Sequence, residues 1–246
     1  MARASADGYT LLVADVGQTA INPALYARLL YDPIKDFAPV SIMGNSAQFI
    51  AAHVSVPANK LTELIARAKS KPGSLRYGSG GIGSLHHLSM EALNGPLKLG
   101  LVHVPYKGTA QSMPALLSSE VSLAMSAPPS IAAHRTAGRI KLLAVNTIKR
   151  SSQVPEVPTV AEVIGIKDYD YPPVIGILSP AAMPRAIVNQ LSAAIAQVVR
   201  QPDVAQRYTT LGIDPVGSTP EQYVAQNRID VQKYARAVKA AGLKAE

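Results

Sequence analysis

From residue 9 to residue 146 the chain alternates between two hydrophobic periodicities, and this alternation limits the fold more than any other feature. The β-rich runs are YTLLVA (9–14), APVSIMG (38–44), QFIAAHV (48–54), SLRYG (74–78), LGLVHV (99–104), VSLAMS (121–126) and IKLLAVN (140–146). Helical stretches separate all but the second and third of these: one from Asn22 with Pro23 at its first position, LTELIARAKS (61–70), one opened by Ser84, one capped by Thr109 and one from Pro128. Short strands alternating with helices predict an α/β fold with mostly parallel sheets, because parallel neighbours need crossover connections and helices supply them. After about Asp168 the pattern changes. DYDYPPVIGILSP reads as an extended, Pro-containing crossing, and 184–200 as a helix with Ile187, Val188, Leu191, Ile195, Val198 and Val199 on one stripe. A last helix starts at Thr219-Pro220-Glu221, which supplies a cap, a first-turn proline and an acid at the positive end of the dipole. Two small α/β lobes joined by extended crossings near 46–56 and 170–178 fit this order better than one continuous sheet.

At 246 residues, with 48% apolar and 16% charged, the chain has the balance of a globular protein with real cores. No apolar run approaches the ~18 residues that a transmembrane helix needs, and the start, MARASADGYTLLVADVG, shows no leader pattern. The absence of cysteine excludes a disulfide scaffold and any thiolate metal or redox site. A net charge of +8 invites a nucleic-acid reading, but the basic residues are scattered and the densest cluster is Lys149-Arg150. With 5% aromatics and no Trp, stacking platforms are missing too, so no nucleic-acid partner is expected.

The stretch YGSGGIGSLHHLSMEALNG (77–95) carries the strongest chemical signal. Gly78, Gly80 and Gly83 match G-x-G-x-x-G between a strand and a helix. The dinucleotide form of that motif wants an acid at the end of the next strand, and here the strand ends in HVPYK; no G-K-[ST] follows for a P-loop. What survives is physical. Small residues let backbone N–H groups converge on one point, and the helix N-terminus adds roughly half a positive charge there, so such a turn holds a carboxylate as well as a phosphate. The competing reading is a tight turn capped by Ser84 with nothing bound. His86 and His87 project about 100° apart on a helix, H-E-x-x-H is missing and no G-x-S-x-G elbow occurs, so neither a metal site nor a catalytic triad is expected. One of the two histidines reads as a packed or capping residue.

YGSGGIGSLHHL, LVHVPYKGT, AGRIKLLAVNTIKRS, VPEVPTVAEV, GSTPEQY and VKAAGLK, in this order, resemble the substrate-binding proteins of tripartite tricarboxylate transporters, the Bug receptors. The resemblance implies a two-lobed type II periplasmic-binding-protein fold that closes over a small organic acid and hands it to membrane transporter subunits, with no cofactor, no metal and no chemistry of its own. It implies a first lobe of 1–46 with 175–246, a second of 47–174, and a periplasmic location. Members of the family begin with a signal peptide, a first strand and a Pro/Gly loop, and this chain reads as N-terminally truncated after them. An open sheet edge in the first lobe, through which an otherwise monomeric chain associates, is expected to result. Departures at Ser122 and in YPPVIGILSP bear on ligand choice. Carried over residue by residue, Ser79, Gly80, Gly81, Ile82, Gly83 and Ser84 offer N–H and hydroxyl donors at the mouth of an interlobe cleft. Val16, Gly17, Gln18 and Thr19 do so in the first lobe, and Ser126 ends a second-lobe strand. Tyr106 and Lys107 match the family motif. The alternatives are a small α/β enzyme using Ser84, His87 or Lys107 on a carboxylic acid, or a relic that no longer binds.

Overall fold

The computed structural model describes residues 1–243. The chain enters a first unit through β1 (Leu12–Ala14), a π-helical turn (Gly17–Ile21), α1 (Asn22–Leu25) and the long strand β2 (Phe37–Ser46). It then builds a second unit from β3 (Phe49–His53), α2 (Leu61–Ser70), β4 (Arg76–Ser79), α3 (Leu85–Leu97), β5 (Val102–Pro105), α4 (Thr109–Leu117), β6 (Leu123–Ser126), α5 (Pro128–Thr136), β7 (Ile140–Val145) and α6 (Val160–Ile164). It returns to the first unit with β8 (Val174–Pro180), α7 (Arg185–Val198), α8 (Pro202–Thr210), β9 (Ile213–Pro215) and α9 (Pro220–Ala240). The first unit comprises Met1–Ser46 and the chain from Pro173 onward, and the second is Ala47–Pro172. The return falls two residues before the boundary drawn from sequence, because Val174 already pairs with Asn45 of β2.

The expectation of mostly parallel sheets needs correction. In the first unit the strand order is β1-β8-β2-β9, and every hydrogen-bonded pair is antiparallel. In the second the order is β5-β4-β6-β3-β7, with β4 parallel to β5 and β6 but β3 antiparallel to β6 and β7. The helical crossovers do give co-directional strands: β1 runs with β2, and β4, β5, β6 and β7 run together. In each unit one strand adjoining a crossing, β8 or β3, inserts between two of these against their direction. Local periodicity carries no trace of that insertion.

The second sheet is buried on both faces, as the near-continuous apolar runs of β3 and β6 lead one to expect. Ile50, Leu123 and Met125 pack with Leu64 of α2 and Met90 and Leu93 of α3. The intervening Phe49, Ala51 and Ala124 pack on the other face with Leu116 of α4 and Ile131 of α5. In the first unit α7 seats Val188 against Val40 and Met183. Tyr223 of α9 lies so close to β8 that a β-carbon on Gly176 would stand 2.4 Å from its ring.

Helix starts follow local chemistry. Thr219 and Gln222 form a reciprocal capping box at α9, Thr159 and Glu162 another at α6, and Ser84 caps α3. At α4 the cap is Gly108, with φ 127°, rather than Thr109, which is the first helical residue.

Candidate functional site

In the second unit three strands that run side by side, β5, β4 and β6, each end in a turn that opens a helix. Ser79 ends β4, Tyr106 to Gly108 link β5 to α4, and Ser126 ends β6 just before α5. The first two turns touch: a β-carbon on Gly80 would lie 3.4 Å from both the amide nitrogen and Cγ2 of Thr109, and one on Gly81 would lie 3.3 Å from the Tyr106 carbonyl oxygen. At Gly81 the close approach and a φ of 129° both favour glycine, Gly83 adopts a φ of 72°, and at Gly80 a β-carbon would make only an ordinary contact. Two helix N-termini thereby open beside each other. The third differs, because α5 begins with Pro128-Pro129, which have no N–H to offer.

The turn's own hydrogen bonds divide its donors into two sets. Gly81 N donates to Ser79 Oγ at 3.1 Å, Gly83 N to His87 Nδ1 at 3.0 Å, Ser84 N to the Gly81 carbonyl at 3.2 Å, and His87 N to the capping Ser84 Oγ at 3.3 Å. These bonds hold the loop's shape. Among the described residues, the amides of Gly80, Ile82, Leu85 and His86, and of Thr109 and Ala110 in the neighbouring turn, have no partner. The residues that carry them are half-buried or exposed. Ser79 is fully buried and its hydroxyl contacts His103 Nε2 at 2.6 Å, so it shapes the turn from beneath. Ser126 is half-buried at the end of β6. The exposed Lys107 has its amide tied to Gln111 Oε1 at 3.1 Å. Sequence reasoning passed over Thr109 as a donor; the signal that could have found it is K-G-T, a second glycine immediately before a helix.

Under the turn, three rings stack. Tyr77 and His103 are register partners on the parallel strands β4 and β5, with ring centroids 4.9 Å apart, and His103 stacks on His87 at 3.8 Å with planes 9° apart. Tyr77 donates to Glu91 Oε1 at 2.6 Å, and burial together with that carboxylate pushes the phenol well above its usual pKa. Burial lowers His87, against the attraction of Glu91. Burial, assisted by His87, lowers His103 to about 4. His86 points elsewhere, to Gln48 Oε1 at 3.1 Å, and burial holds it at about 4 as well. All three imidazoles are neutral at pH 7 and poor bases, which suits a rigid scaffold better than proton transfer.

A stability dependence follows. His86 and His103 take up a proton near pH 4 in the folded chain, against about 6.5 when unfolded. Between those values the unfolded chain binds more protons, so this contribution is complete above about pH 6.5 and is lost as pH falls toward 4. The melting temperature is expected to decline across that window, with the slope reduced in a His103→Phe variant that keeps the stack. A melting temperature independent of pH over the window would contradict the assignment.

In the first unit, Val16 and Thr19 are buried, Gly17 is half-buried and Gln18 is exposed. Asp15 organises the segment: its Oδ1 accepts from Gly17 N at 2.7 Å, its carbonyl accepts from Thr19 N and Oγ1 at 3.2 Å, and its amide donates to Gln18 Oε1 at 2.9 Å. The amides of Val16 and Gln18 have no partner among the described residues. Gln18 and Thr19 also line an apolar cavity of about 280 Å³ with Leu12, Tyr31 and Phe37. The side chains of Val16 and Thr19 thus serve the unit's interior, leaving backbone groups as what this segment presents.

The family model for the tripartite tricarboxylate transporter family receptor matches residues 1–243. The chain belongs to this receptor family. BugT of Bordetella pertussis is 27% identical over 244 residues, covering 99% of this chain and 74% of BugT. The structure of R. palustris Rpa4515 with adipate superposes with a TM-score of 0.87 at 28% identity, covering 100% of this chain and 82% of that one. MatC from Rhodopseudomonas palustris with bound malate gives a TM-score of 0.79 at 28% identity, over 96% of this chain and 81% of that one. Two further curated relatives, from a Pseudomonas strain and from B. pertussis, are 30% and 34% identical, and the chain spans 66% of the length of each. The two-lobed α/β fold and the solute-binding, non-enzymatic character of the family agree with the site, where neutral, bonded histidines lie beneath a turn rich in free amides. Among the described residues no cluster of histidine and carboxylate side chains is suited to a metal, and no helix is long and apolar enough to cross a membrane.

Proposed function

We propose that the chain is an extracytoplasmic receptor that captures a small organic carboxylate for the membrane subunits of a tripartite tricarboxylate-type transporter. The observation that carries this reading is the pairing of the Gly80–Ser84 turn with the Thr109 turn, which exposes unpartnered amides at two adjacent helix N-termini. A carboxylate accepts several such donors at once, and charge-assisted bonds are about twice as strong as neutral ones. Of the expected contacts, the free amides of Gly80 and Ile82 are the proposed donors, joined by Thr109 and the Ser126 hydroxyl, while Ser79, Gly81, Gly83 and Ser84 hold the turn in shape. In the first unit the segment Val16, Gly17, Gln18 and Thr19 offers the free amides of Val16 and Gln18 as a separate donor set. Adipate and malate, bound by two structural relatives, are dicarboxylates and supply the first probes. A periplasmic location draws support from relatives described as periplasmic. The outer edge of β1 is unpaired among the described residues and leaves Val13 62% exposed, a surface through which copies associate at high concentration.

The test is thermal shift against mono- and dicarboxylates, with sulfate as the inorganic control. An acid at 100 times its dissociation constant adds about 2.7 kcal/mol, or roughly 5–10 °C for a chain of this size. No shift with any acid at millimolar concentration, or an equal shift with sulfate, counts against the reading.

A further inference from the structure

The N-terminus of α3 departs from a standard capping box in a way that places a proton switch under the turn. In the usual arrangement the cap hydroxyl accepts from the N3 amide, and a Glu or Gln at N3 reaches back to the cap's own amide. Here the first half is present, with His87 N donating to Ser84 Oγ. The N3 residue is His87, whose Nδ1 reaches one residue further back and accepts from Gly83 N at 3.0 Å. That bond exists only while Nδ1 keeps its lone pair, so the imidazole carries its hydrogen on Nε2. A proton on Nδ1 turns the acceptor into a donor facing a donor, and the buried Gly83 amide loses its partner.

We propose that His87 is a positioning residue for the anion-binding turn, holding Gly83 and through it the free amides of Gly80 and Ile82, so that taking up a proton at Nδ1 releases the turn and weakens ligand binding. This rests on the carboxylate-receptor reading of the same turn. The groups facing His87 are few. Glu91, four residues on along α3, favours the charged ring; His103 of β5 stacks on it at 3.8 Å and disfavours a second charge; Tyr77 of β4 stays protonated and bonded to Glu91. His86, on the same helix, is engaged with Gln48. Burial outweighs the attraction of Glu91, so the ring is neutral and the latch is closed at neutral pH. Added positive charge on its own would strengthen anion binding, so loss of affinity in acid distinguishes the latch from simple electrostatics.

The experiment compares the full chain with H87N, whose amide oxygen replaces Nδ1 as a non-titrating acceptor, and with H87L, which has no acceptor. The best acid found by thermal shift is titrated calorimetrically into each at matched pH. H87L is expected to bind roughly three- to tenfold more weakly at neutral pH, the loss of one buried bond, and H87N to recover what H87L loses. Below the ordinary histidine pKa of about 6.5 the native chain is expected to lose affinity faster than H87N. The ligand's own protonation affects both proteins alike and drops out of the ratio. An H87N chain that loses affinity in acid as steeply as the native chain overturns the proposal. A nitrogen-15 titration gives an arm that needs no ligand: the Gly83 amide should shift together with the His87 ring nitrogens. If no acid binds either protein, the receptor reading fails, while a Gly83 amide that stays still as His87 titrates refutes the latch itself.

Discussion

Gly80→Asp is expected to leave the second unit folded while lowering carboxylate affinity by roughly a hundredfold or more, equivalent to about 2.7 kcal/mol. Gly80 is absent from the positive-φ residues, and a β-carbon there meets Thr109 at 3.4 Å, an ordinary contact. The new carboxylate would lie at the start of α4, where the amides of Thr109 and Ala110 are free. An acid at that position typically stabilises a helix by about 0.3–1 kcal/mol, so the melting temperature should hold or rise. The same substitution satisfies the donors the ligand needs and sets a fixed negative charge beside it. Each charge-assisted bond lost is worth about 1.5–3 kcal/mol, and repulsion adds to that. Gly80→Asn, which has nearly the same shape without the charge, should lose less. Calorimetry with thermal melts decides it: Gly80→Asp binding like the native chain would place the grip elsewhere, and a large fall in melting temperature would show that position 80 tolerates no side chain.

The glycine turn was legible because its chemistry is local. Gly80, Gly81 and Gly83 between a strand and a serine cap state the backbone shape, the helix start and the donor supply within a few residues. The caps at Ser84 and Thr219 were legible for the same reason. What lay beyond reach depends on distant pairing. Nothing in VIGIL says that β8 inserts between β1 and β2, since antiparallel and parallel neighbours share the same run of buried residues. The short helix α8 and strand β9 follow α7 closely and are only nine and three residues long, too short for periodicity to speak. One of the two histidines was expected to pack or cap, without saying which, and His87 does both. Its partner Gly83 lies only four residues away, whereas its stacking partner His103 reaches it through the Tyr77–His103 register of β4 and β5. Val16 and Thr19 show the limit of placing a site by strand ends: the position past β1 follows from topology, but which side chains turn inward depends on the π-helical turn that begins at Gly17.

Asp230→Ala is expected to destabilise the first unit by about 1–3 kcal/mol, the cost of leaving a buried donor without its acceptor. Asp230 is 2% exposed and Lys233 8%. They sit one turn apart on α9, with Lys233 Nζ 2.7 Å from Asp230 Oδ1 and 5.1 Å from the centroid of the Tyr234 ring. Gln226 Nε2 donates to the other carboxylate oxygen at 3.1 Å. Removing the acid takes one partner from a nearly buried ammonium, and the Gln226 amide loses its acceptor. The pair is not therefore a large net source of stability, because desolvating both charges offsets most of their attraction. The double change Asp230→Leu with Lys233→Met removes both charges at similar volume and should cost far less than the single one. α9 packs against the π-helical turn that carries Gly17 to Thr19, so the loss should also appear as faster amide exchange there. Urea denaturation of the single and double variants separates the cases. A single variant within about 1 kcal/mol of the native chain would mean that Gln226 and Lys233 are satisfied without Asp230, and that α9 is held by its apolar face alone.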